Sequence, residues 1–287
     1  MPELPEVQTI TSDLIKHITG TKIQNIHFFD NYKAFPNNET FKINLENKTI
    51  KKVYRVAKNI IFETNDEMFF TIHLAMTGRL LIRKKDFQPD RWQKIIFELE
   101  KDSRIGHLRF CDMRMFGKVK FLNQQEILEL KNKYGPEIIS ENLTPEIFLE
   151  QLNSKRTNVK NALLDQKIIS GLGNIYVTDA LFISKIHPLT NTRDLTIKHA
   201  EKLLKAAQEI INQAIENRGS SLEDKMYVDA LGRLGSHQNF FRIYSKKECA
   251  SCGNKVSFEK INGRGTFYCG NCQILINSKN SLQEKLL

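Results

Sequence analysis

The sequence lacks the long apolar runs of a membrane protein. No stretch approaches the roughly 18 consecutive apolar residues that span a bilayer, and the first residues do not join a basic start to an apolar core, as a secretory signal does. We therefore expect a cytoplasmic protein without a membrane-spanning segment. Cysteine is scarce, with five in 287 residues, and four of the five lie within 24 residues. This clustering favours metal ligands over disulfides.

Acidic residues are fewer than basic ones. The chain has 33 Asp and Glu against 43 Lys and Arg, a formal net charge of +10 and a pI of about 9.3. Such an excess predicts an anionic partner, either nucleic acid or an acidic membrane surface. Hydrophobic residues make up 40% of the chain, which is enough for packed cores, and the length is typical of two domains.

The hydrophobic pattern changes at about residue 126. Before it, helical spacing predicts a helix over 5–18, and short runs rich in Ile, Phe and Val then predict a β-sandwich or barrel of about 120 residues. After it the period is helical. The clearest helix, 196–217, ends before a Gly- and Ser-rich stretch, 219–238, which we interpret as a mobile loop. The predicted fold class is therefore α+β with several domains.

The four clustered cysteines have the spacing of a zinc site. Cys249 and Cys252 form one pair, and Cys269 and Cys272 form the second. The two pairs are separated by 16 residues. Four thiolates fill the tetrahedral coordination of zinc, so the predicted site is structural. Alternating apolar residues between the pairs predict a hairpin with Arg264 near its tip. That arginine is either a phosphate contact or a solvated loop residue.

The opening Met-Pro-Glu-Leu-Pro-Glu places an unusual amine near two carboxylates. Removal of Met1 would leave Pro2 with a free secondary amine, beside Glu3 and near Glu6. An α-amine titrates at about 7.7–8.0, against about 10.4 for lysine, so more of it is neutral at pH 7. A neutral amine can attack carbon and form an imine-type covalent intermediate. The alternative is a disordered terminus that carries prolines.

Several further positions have two interpretations each. Lys58 precedes an apolar run and is either a solvated or a functional lysine. Arg114 and Phe116 lie on the same side of an extended segment, but Phe116, like Met76, also suits a core position. The segment 171–173 opens a helix, whose N-terminus is a ready anion site. It is neither a Walker loop nor a dinucleotide fingerprint.

Taken together, the motifs resemble those of the bacterial formamidopyrimidine-DNA glycosylase family, which removes oxidised purines from DNA. The matching segments, in family order, are Pro2–Val7, Arg55–Lys58, His73–Gly78, Gly135–Glu137, Gly171–Tyr176, Ile186–Pro188, Gln238–Asn239 and Arg264–Cys269. The resemblance implies an N-terminal β-sandwich with flanking helices, a helix–two-turn–helix domain and a C-terminal four-cysteine zinc finger. We place these domains at 1–125, 126–237 and 238–287, with 219–238 as a lid over the damaged base.

The resemblance also implies the chemistry. Pro2 would be the nucleophile that attacks the sugar carbon bearing the damaged base, and Glu3 would transfer protons during base departure or ring opening. Glu6 would support the site, Lys58 would assist acid–base steps and contact phosphate, and Arg264 would assist the second elimination. The protein would be a glycosylase and an abasic-site lyase acting by β,δ-elimination, with one structural zinc ion and no organic cofactor.

DNA contacts are implied for two groups of residues. Met76, Arg114 and Phe116 match positions that fill the space left by the extruded base and face the orphaned cytosine. The matches to phosphate-contacting positions are Lys155, Lys160, Asn174 and Arg264. The implied partner is double-stranded DNA containing oxidised purines or abasic sites, with no membrane partner. We expect a monomer that associates with the nucleoid when it binds DNA.

The sequence departs from the family pattern at two sites. The usual Asp-Pro-Arg reads Asp-Met-Arg at 112–114, and the usual His-Asp-His reads Trp-Gln-Lys at 92–94, which leaves Lys94 as a substitute cation. Two alternatives stay open: an enzyme of the related endonuclease VIII type, which prefers oxidised pyrimidines, and a DNA-binding protein without catalysis. The presence of the proline, the carboxylates and the lysine of the proposed site argues against the second.

Overall fold

A computed structural model describes residues 1–277 of the chain, so the last ten residues of the predicted third domain lie outside the described residues. The chain divides into two compact units. The first comprises Met1–Asn132 and Ala214–Gln238, and the second comprises Lys133–Gln213 and the described residues from Asn239 onward. Within residues 1–277, no helix has the length and apolar character needed to cross a bilayer.

The first unit begins with helix α1, Leu4–Ile18, where the sequence predicts a helix over 5–18. Its apolar positions recur every three or four residues and are buried, as Val7 and Leu14 illustrate. Glu3 is the N-cap residue, and a proline follows in the first turn, where its missing N–H costs nothing. The sequence therefore sets both the start of the helix and the face that it buries.

Two antiparallel four-stranded sheets form the centre of this unit, as the sequence analysis expects of a sandwich. The first sheet has the order β1 (Lys22–Phe28), β6 (Gln93–Lys101), β7 (Arg104–Asp112), β5 (Gly78–Lys84). The second has the order β2 (Ile50–Val56), β3 (Asn59–Thr64), β4 (Phe69–His73), β8 (Lys118–Leu122). The buried rings of Phe70 and Phe97, one from each sheet, stack with centroids 5.4 Å apart. Aromatic stacking thus joins the two faces of the core.

Two helices flank the sandwich. Helix α2, Asn38–Leu45, begins at the N-cap Asn37, whose side chain accepts a hydrogen bond from the Thr40 amide. It buries Phe41 against the aromatic core, with a ring centroid 6.0 Å from that of Phe70. Helix α3, Gln124–Asn132, follows β8. The fold class inferred from the sequence is confirmed in this unit.

The stretch interpreted as a mobile loop lies within the first unit and contributes to its core. Tyr227 and Ala230 belong to the same buried cluster as the strands. The Ile82 amide of β5 donates to the Ala230 carbonyl at 2.8 Å. Asp229 is fully buried and accepts hydrogen bonds from the Arg218 guanidinium. The stretch therefore has fixed anchors on the sandwich, and its mobility stays a prediction, as do the three domain boundaries.

The second unit is helical, with a β-hairpin at its end. Its helices are α4 (Pro145–Asn153), α5 (Val159–Leu164), α6 (Asn174–Ile183) and α7 (Ile197–Glu216), the last of which leads into the first unit. A 3-10 turn at Thr192–Asp194 precedes α7, and strands β9 (Ser257–Ile261) and β10 (Arg264–Tyr268) form the hairpin. Asp179 of α6 accepts the backbone amides of Arg242, Ile243 and Tyr244, which fixes the chain that enters the hairpin.

Candidate active site and metal centre

The N-terminal carboxylates form a buried cluster in the first unit. Pro2 is buried, and Glu3 and Glu6 are only 3% and 2% exposed. One oxygen of Glu6 accepts the Glu3 amide at 2.8 Å, and the other accepts the Ser220 amide at 2.8 Å. A single carboxylate therefore ties the start of α1 to the glycine- and serine-rich stretch. Bonds of this kind, to a charged acceptor, are about twice as strong as neutral ones.

Gly219 lets the loop approach this carboxylate closely. Its φ is +78°, and a Cβ at this position would lie 2.9 Å from both Cγ and Oε1 of Glu6. A side chain there would have to displace the carboxylate, so the close approach requires glycine. The sequence analysis interprets this glycine only as a helix end and loop residue.

Lys58 lies at the tip of the β2–β3 hairpin. Val56 pairs with Asn59, so Ala57 and Lys58 make a two-residue turn, with Ala57 at a φ of +52°. The Arg55 guanidinium donates to the Ala57 carbonyl at 2.8 Å and to the Gln8 side chain of α1 at 2.9 Å. This bridge holds the hairpin tip beside the first turns of α1. Lys58 itself is only 7% exposed.

His73 is a neighbour of Lys58 that the sequence analysis includes in a motif without a role. It ends β4 and pairs in register with Asn59. Burial, and then the charges of Lys58 and Lys118, lower the pKa of His73 to about 4. Its Nδ1 accepts the Ala75 amide at 3.2 Å, as a neutral imidazole can. The site therefore holds a neutral histidine near a buried ammonium group at neutral pH.

This depressed pKa predicts a pH dependence of stability. The unfolded chain protonates His73 near 6.5 and the folded chain near 4, so between these values the unfolded state binds more protons and stability rises with pH. The cost of acidifying from pH 7 to 4 is up to about 3 kcal/mol. We expect His73→Gln to flatten the pH dependence of the free energy of unfolding by this amount. Urea titrations across this range, with the exposed His17→Gln as control, measure it. Equal pH curves for wild type and His73→Gln would contradict it.

The three side chains predicted to enter DNA lie together. The Arg114 guanidinium is 4.8 Å from the centre of the Phe116 ring, and its Nη1 is 3.5 Å from the Met76 sulfur. Phe116 and Met76 are 52% and 43% exposed. Neither is a core residue, which was the competing interpretation of both. Exposed apolar side chains beside a cation form a suitable wedge.

The loop that carries them is held by a buried aspartate. Asp112 is fully buried, and its carboxylate accepts the Gly117 amide at 2.7 Å and the Thr77 hydroxyl at 2.5 Å. It also accepts the Arg114 amide at 3.2 Å. These bonds fix the loop although Met113 stands where the family has proline. Methionine in place of proline at position 113 therefore leaves Met76, Arg114 and Phe116 clustered.

The second departure from the family pattern, Trp-Gln-Lys at 92–94, does not provide the expected cation. Lys94 is 6% exposed, and its ammonium pairs with Asp30 at 2.5 Å. It is therefore unsuited to supply an exposed charge in place of the missing histidine. The Trp92 ring is partly exposed and lies beneath the guanidinium groups of Arg91 and Arg79.

The second unit holds the remaining candidates around the zinc-finger hairpin. The Gly265 carbonyl of β10 accepts from Lys160 at 3.2 Å and from Asn174 at 3.0 Å. Lys160 is fully buried and also donates to the Thr266 hydroxyl at 2.5 Å. It thus braces the strand that begins with Arg264, and it presents no exposed cation.

Arg264 and Lys155 are exposed cations of the second unit. Arg264 is the first residue of β10 and lies at the hairpin end. The Lys155 side chain is 56% exposed, and its ammonium pairs with Asp165 at 2.5 Å. An exposed ion pair of this kind is weak, so a phosphate could replace the carboxylate at little cost.

The four clustered cysteines form a compact donor set. Their Sγ atoms all lie within 4.8 Å of one another. The Cys252–Cys269 and Cys249–Cys272 separations are 3.6 and 3.8 Å. Tetrahedral zinc with bonds of about 2.3 Å places sulfurs about 3.8 Å apart, so these residues fit the metal. The fifth cysteine, Cys111, lies in the first unit, and burial raises its pKa to about 12, as expected of an unreactive thiol.

Comparison with known proteins gives matches along most of the chain. Residues 1–119 match the formamidopyrimidine-DNA glycosylase N-terminal domain, 134–226 its H2TH domain, and 246–274 the zinc finger found in FPG and IleRS. A formamidopyrimidine-DNA glycosylase of Desulforamulus reducens is 36% identical over 95% of this chain and 99% of its own. One from Chloroflexus aurantiacus is 34% identical over 96% and 98%.

Solved structures agree with these matches. Lactococcus lactis Fpg, in a complex with DNA containing an abasic site, has a TM-score of 0.87 and 33% identity over 95% of this chain and 99% of its own. The same wild-type enzyme with DNA containing N7-benzyl-Fapy-dG has a TM-score of 0.86 and 34% identity, with the same coverage. These relatives match the chain along most of its length, through the sandwich, the H2TH domain and the four-cysteine zinc finger. The chain therefore belongs to the formamidopyrimidine-DNA glycosylase family of DNA repair enzymes.

Proposed function

We propose that this DNA glycosylase excises oxidised purines, 8-oxoguanine and formamidopyrimidines, and then cleaves the abasic strand by β,δ-elimination. The observation that carries the proposal is the buried cluster of Pro2, Glu3 and Glu6, with Lys58 held beside the same helix. The solved relatives with abasic and Fapy-dG DNA support the choice of substrate. Double-stranded DNA is the partner, and the enzyme acts as a monomer.

The first step would be a displacement at the sugar. Once Met1 is removed, the neutral amine of Pro2 attacks C1′, the bond from C1′ to the base breaks, and the base leaves with a proton. The amine then loses its own proton, and the C1′–O4′ bond opens as O4′ takes a proton from Glu3. An iminium ion joins Pro2 to the opened sugar. Glu6 holds the backbone of the reacting residues through the Glu3 amide.

The iminium ion then permits strand cleavage. It withdraws electrons from C2′, a base removes the C2′ proton, and the C3′–O bond breaks with loss of phosphate. A second proton loss, from C4′, drives cleavage of the C5′–O bond. Lys58 would assist the proton transfers. Arg264, an exposed cation, would stabilise the departing phosphate, and Lys155 and Asn174 would hold neighbouring phosphates.

The damaged base must leave the stack before attack, which costs a few kcal/mol. Met76, Arg114 and Phe116 would offset that cost by filling the vacated space, and their shared exposed cluster supports this role. One structural zinc ion on the four cysteines would stabilise the hairpin that carries Arg264. No organic cofactor is needed, because the iminium ion formed from the Pro2 amine withdraws the electrons that the eliminations release.

Oxidised pyrimidines are a second candidate substrate class. A solved structure of wild-type Lactococcus lactis Fpg with DNA containing an oxidised pyrimidine has a TM-score of 0.85 and 34% identity to this chain. We therefore propose that pyrimidine lesions are secondary substrates of the same site. A chain of the endonuclease VIII type would reverse this order of preference.

Relative rates decide between these substrate classes. We expect kcat/KM on duplexes with 8-oxoguanine opposite cytosine to exceed that on thymine glycol duplexes by at least about tenfold, the discrimination that a shaped pocket provides. Gel assays under single-turnover conditions measure both, and an undamaged duplex is the control. Faster excision of thymine glycol would overturn the purine assignment. Equal inactivity on all lesions would identify a binding protein without catalysis.

A further inference from the structure

Arg79 of β5 binds two consecutive carbonyls of the lid loop, residues 219–238. Its Nε donates to the Met226 carbonyl at 2.9 Å, and its Nη2 donates to the Lys225 carbonyl at 2.7 Å. A guanidinium presents these donors in a rigid, planar fork, so the pair of bonds fixes both the position and the orientation of the loop backbone. We call these two hydrogen bonds from Arg79 the clamp. Lys225 has a φ of +48°, so the clamp acts on a sharp turn.

Trp92 supports the arginine from the start of β6. The Arg79 guanidinium lies over the indole ring at 5.7 Å from its centre, and that of Arg91 lies over it at 4.5 Å. Trp92 has a φ of +60°, a conformation that bulky residues rarely adopt. Its carbonyl accepts the Asp112 amide at 2.9 Å, which helps to hold this backbone in place. Strain of this kind persists only where the surrounding contacts enforce it.

The clamp complements the anchors at the base of the loop. There the Ser220 amide donates to Glu6, and the Tyr227 hydroxyl donates to the Arg218 carbonyl at 2.9 Å. Between these anchors, Asp224 and Lys225 are exposed, and Met226 is partly exposed. Arg79 provides the charged contact that fixes this exposed turn to the sandwich.

We propose that Arg79, supported by Trp92, is a positioning residue that shapes the lid loop for recognition of the extruded damaged base. The inference rests on the proposed function for its substrate, a flipped-out oxidised purine. It concerns residues that touch neither the sugar nor the reacting bonds. Trp92, which supports the clamp, is a position at which the sequence departs from the family pattern. An abasic substrate has no base to recognise and needs no shaped lid.

This difference between substrates gives the first test. We expect Arg79→Ala to lower kcat/KM for 8-oxoguanine excision about tenfold, the loss of one charged hydrogen-bond pair. Cleavage of a preformed abasic duplex should stay within about twofold of wild type. Trp92→Ala should act in the same direction, and Trp92→Phe, which keeps an aromatic face, should restore excision. Lys84→Ala removes an exposed charge at the end of the same strand and is the matched control.

A second test does not depend on activity. Trypsin cuts after Lys225, whose carbonyl Arg79 binds. We expect Arg79→Ala to accelerate this cut about tenfold, because cleavage follows the population of the open loop. The cut after the exposed Lys101, at the end of β6, is the internal reference in each digest. Mass spectrometry of timed digests gives both rates.

The two tests together decide the proposal. Selective loss of base excision with faster cutting after Lys225 supports it. Unchanged cutting in Arg79→Ala overturns the clamp, whatever the activity. Equal losses on the damaged and abasic duplexes overturn the role in base recognition. Inactive wild-type protein would instead refute the proposed function, and the proteolysis result would still decide whether Arg79 holds the loop.

Discussion

Blocking the amine of Pro2 will abolish base excision and strand cleavage together. A chain that retains Met1, or carries an uncleaved extension, has an amide nitrogen at Pro2, and an amide has no lone pair for attack on C1′. Removal of a covalent nucleophile costs on the order of 10³-fold or more in rate. Because Pro2 and Glu3 are buried, an exposed amine elsewhere on the chain could replace the Pro2 amine only after a large rearrangement. We expect DNA affinity to change little.

Borohydride trapping measures the intermediate directly. Reduction of the iminium during reaction with a damaged duplex should link the DNA to the N-terminal peptide at Pro2. The control is the same protein with its extension removed, assayed in parallel for activity, trapping and DNA affinity. An adduct mapped to Lys58, or equal trapping with a blocked terminus, would refute the mechanism. Full activity of a chain whose terminus is shown by mass spectrometry to be blocked would refute it equally.

Glu6 links this chemistry to lesion recognition. Its two oxygens accept one amide from the start of α1 and one from the lid loop, and Gly219 leaves room for the close approach. Arg79 holds the far side of the same loop. Pro2, the proposed nucleophile, and the loop that we propose to recognise the base therefore lie on one scaffold, the first unit. A lesion that orders the loop would also order the backbone beside the nucleophile.

The sequence predicted those elements whose residues follow one regular pattern. Helix α1 was predicted nearly to the residue, because its apolar spacing is regular. Strands β2 and β5 and helix α2 were missed. Arg and Lys interrupt the apolar residues of both strands, and α2 buries only Phe41 and Leu45. Their stability comes from the sandwich around them, and this contribution leaves little trace in the local sequence.

Linear motifs predicted which residues form the candidate site. They did not predict the burial or the pKa values of those residues. The cysteine spacing predicted the compact sulfur cluster. The contact between Met76 and Arg114 fits the wedge that the resemblance implies, and the entry of these side chains into DNA stays a prediction. Local sequence could not show that Lys160 is buried under the hairpin, because its partners are about a hundred residues away. The same holds for the pKa of His73, which is lowered first by burial and then by the charges of Lys58 and Lys118. The sequence also could not show that the buried carboxylate of Asp112 holds the loop in which Met113 replaces the family's proline.

Loss of one zinc ligand will unfold the hairpin and remove tight DNA binding. Among residues 1–277, the buried cluster around the metal site is small: Phe182, Ile243 and Val256 with two of the cysteines, and the partly buried Phe267 and Cys272 packed against them. A two-stranded hairpin is marginal in water. Structural zinc contributes about 10–16 kcal/mol in zinc-finger peptides, so this module depends on its metal. We expect Cys269→Ser to reduce zinc from one ion per chain to almost none, because three ligands bind far more weakly than four. DNA affinity should fall at least about 100-fold as the phosphate contacts near the hairpin are lost.

Cys111→Ala is the matched control, because this cysteine is buried in the sandwich of the first unit, whereas the four clustered cysteines belong to the second unit. It should keep one zinc ion and wild-type affinity. Metal analysis, fluorescence anisotropy on an abasic duplex and circular dichroism together separate loss of the hairpin from loss of the whole fold. We expect the sandwich to stay folded in Cys269→Ser, since its aromatic core contains no metal ligand. Retention of both zinc and DNA affinity by Cys269→Ser would show that the four thiolates are not the structural site.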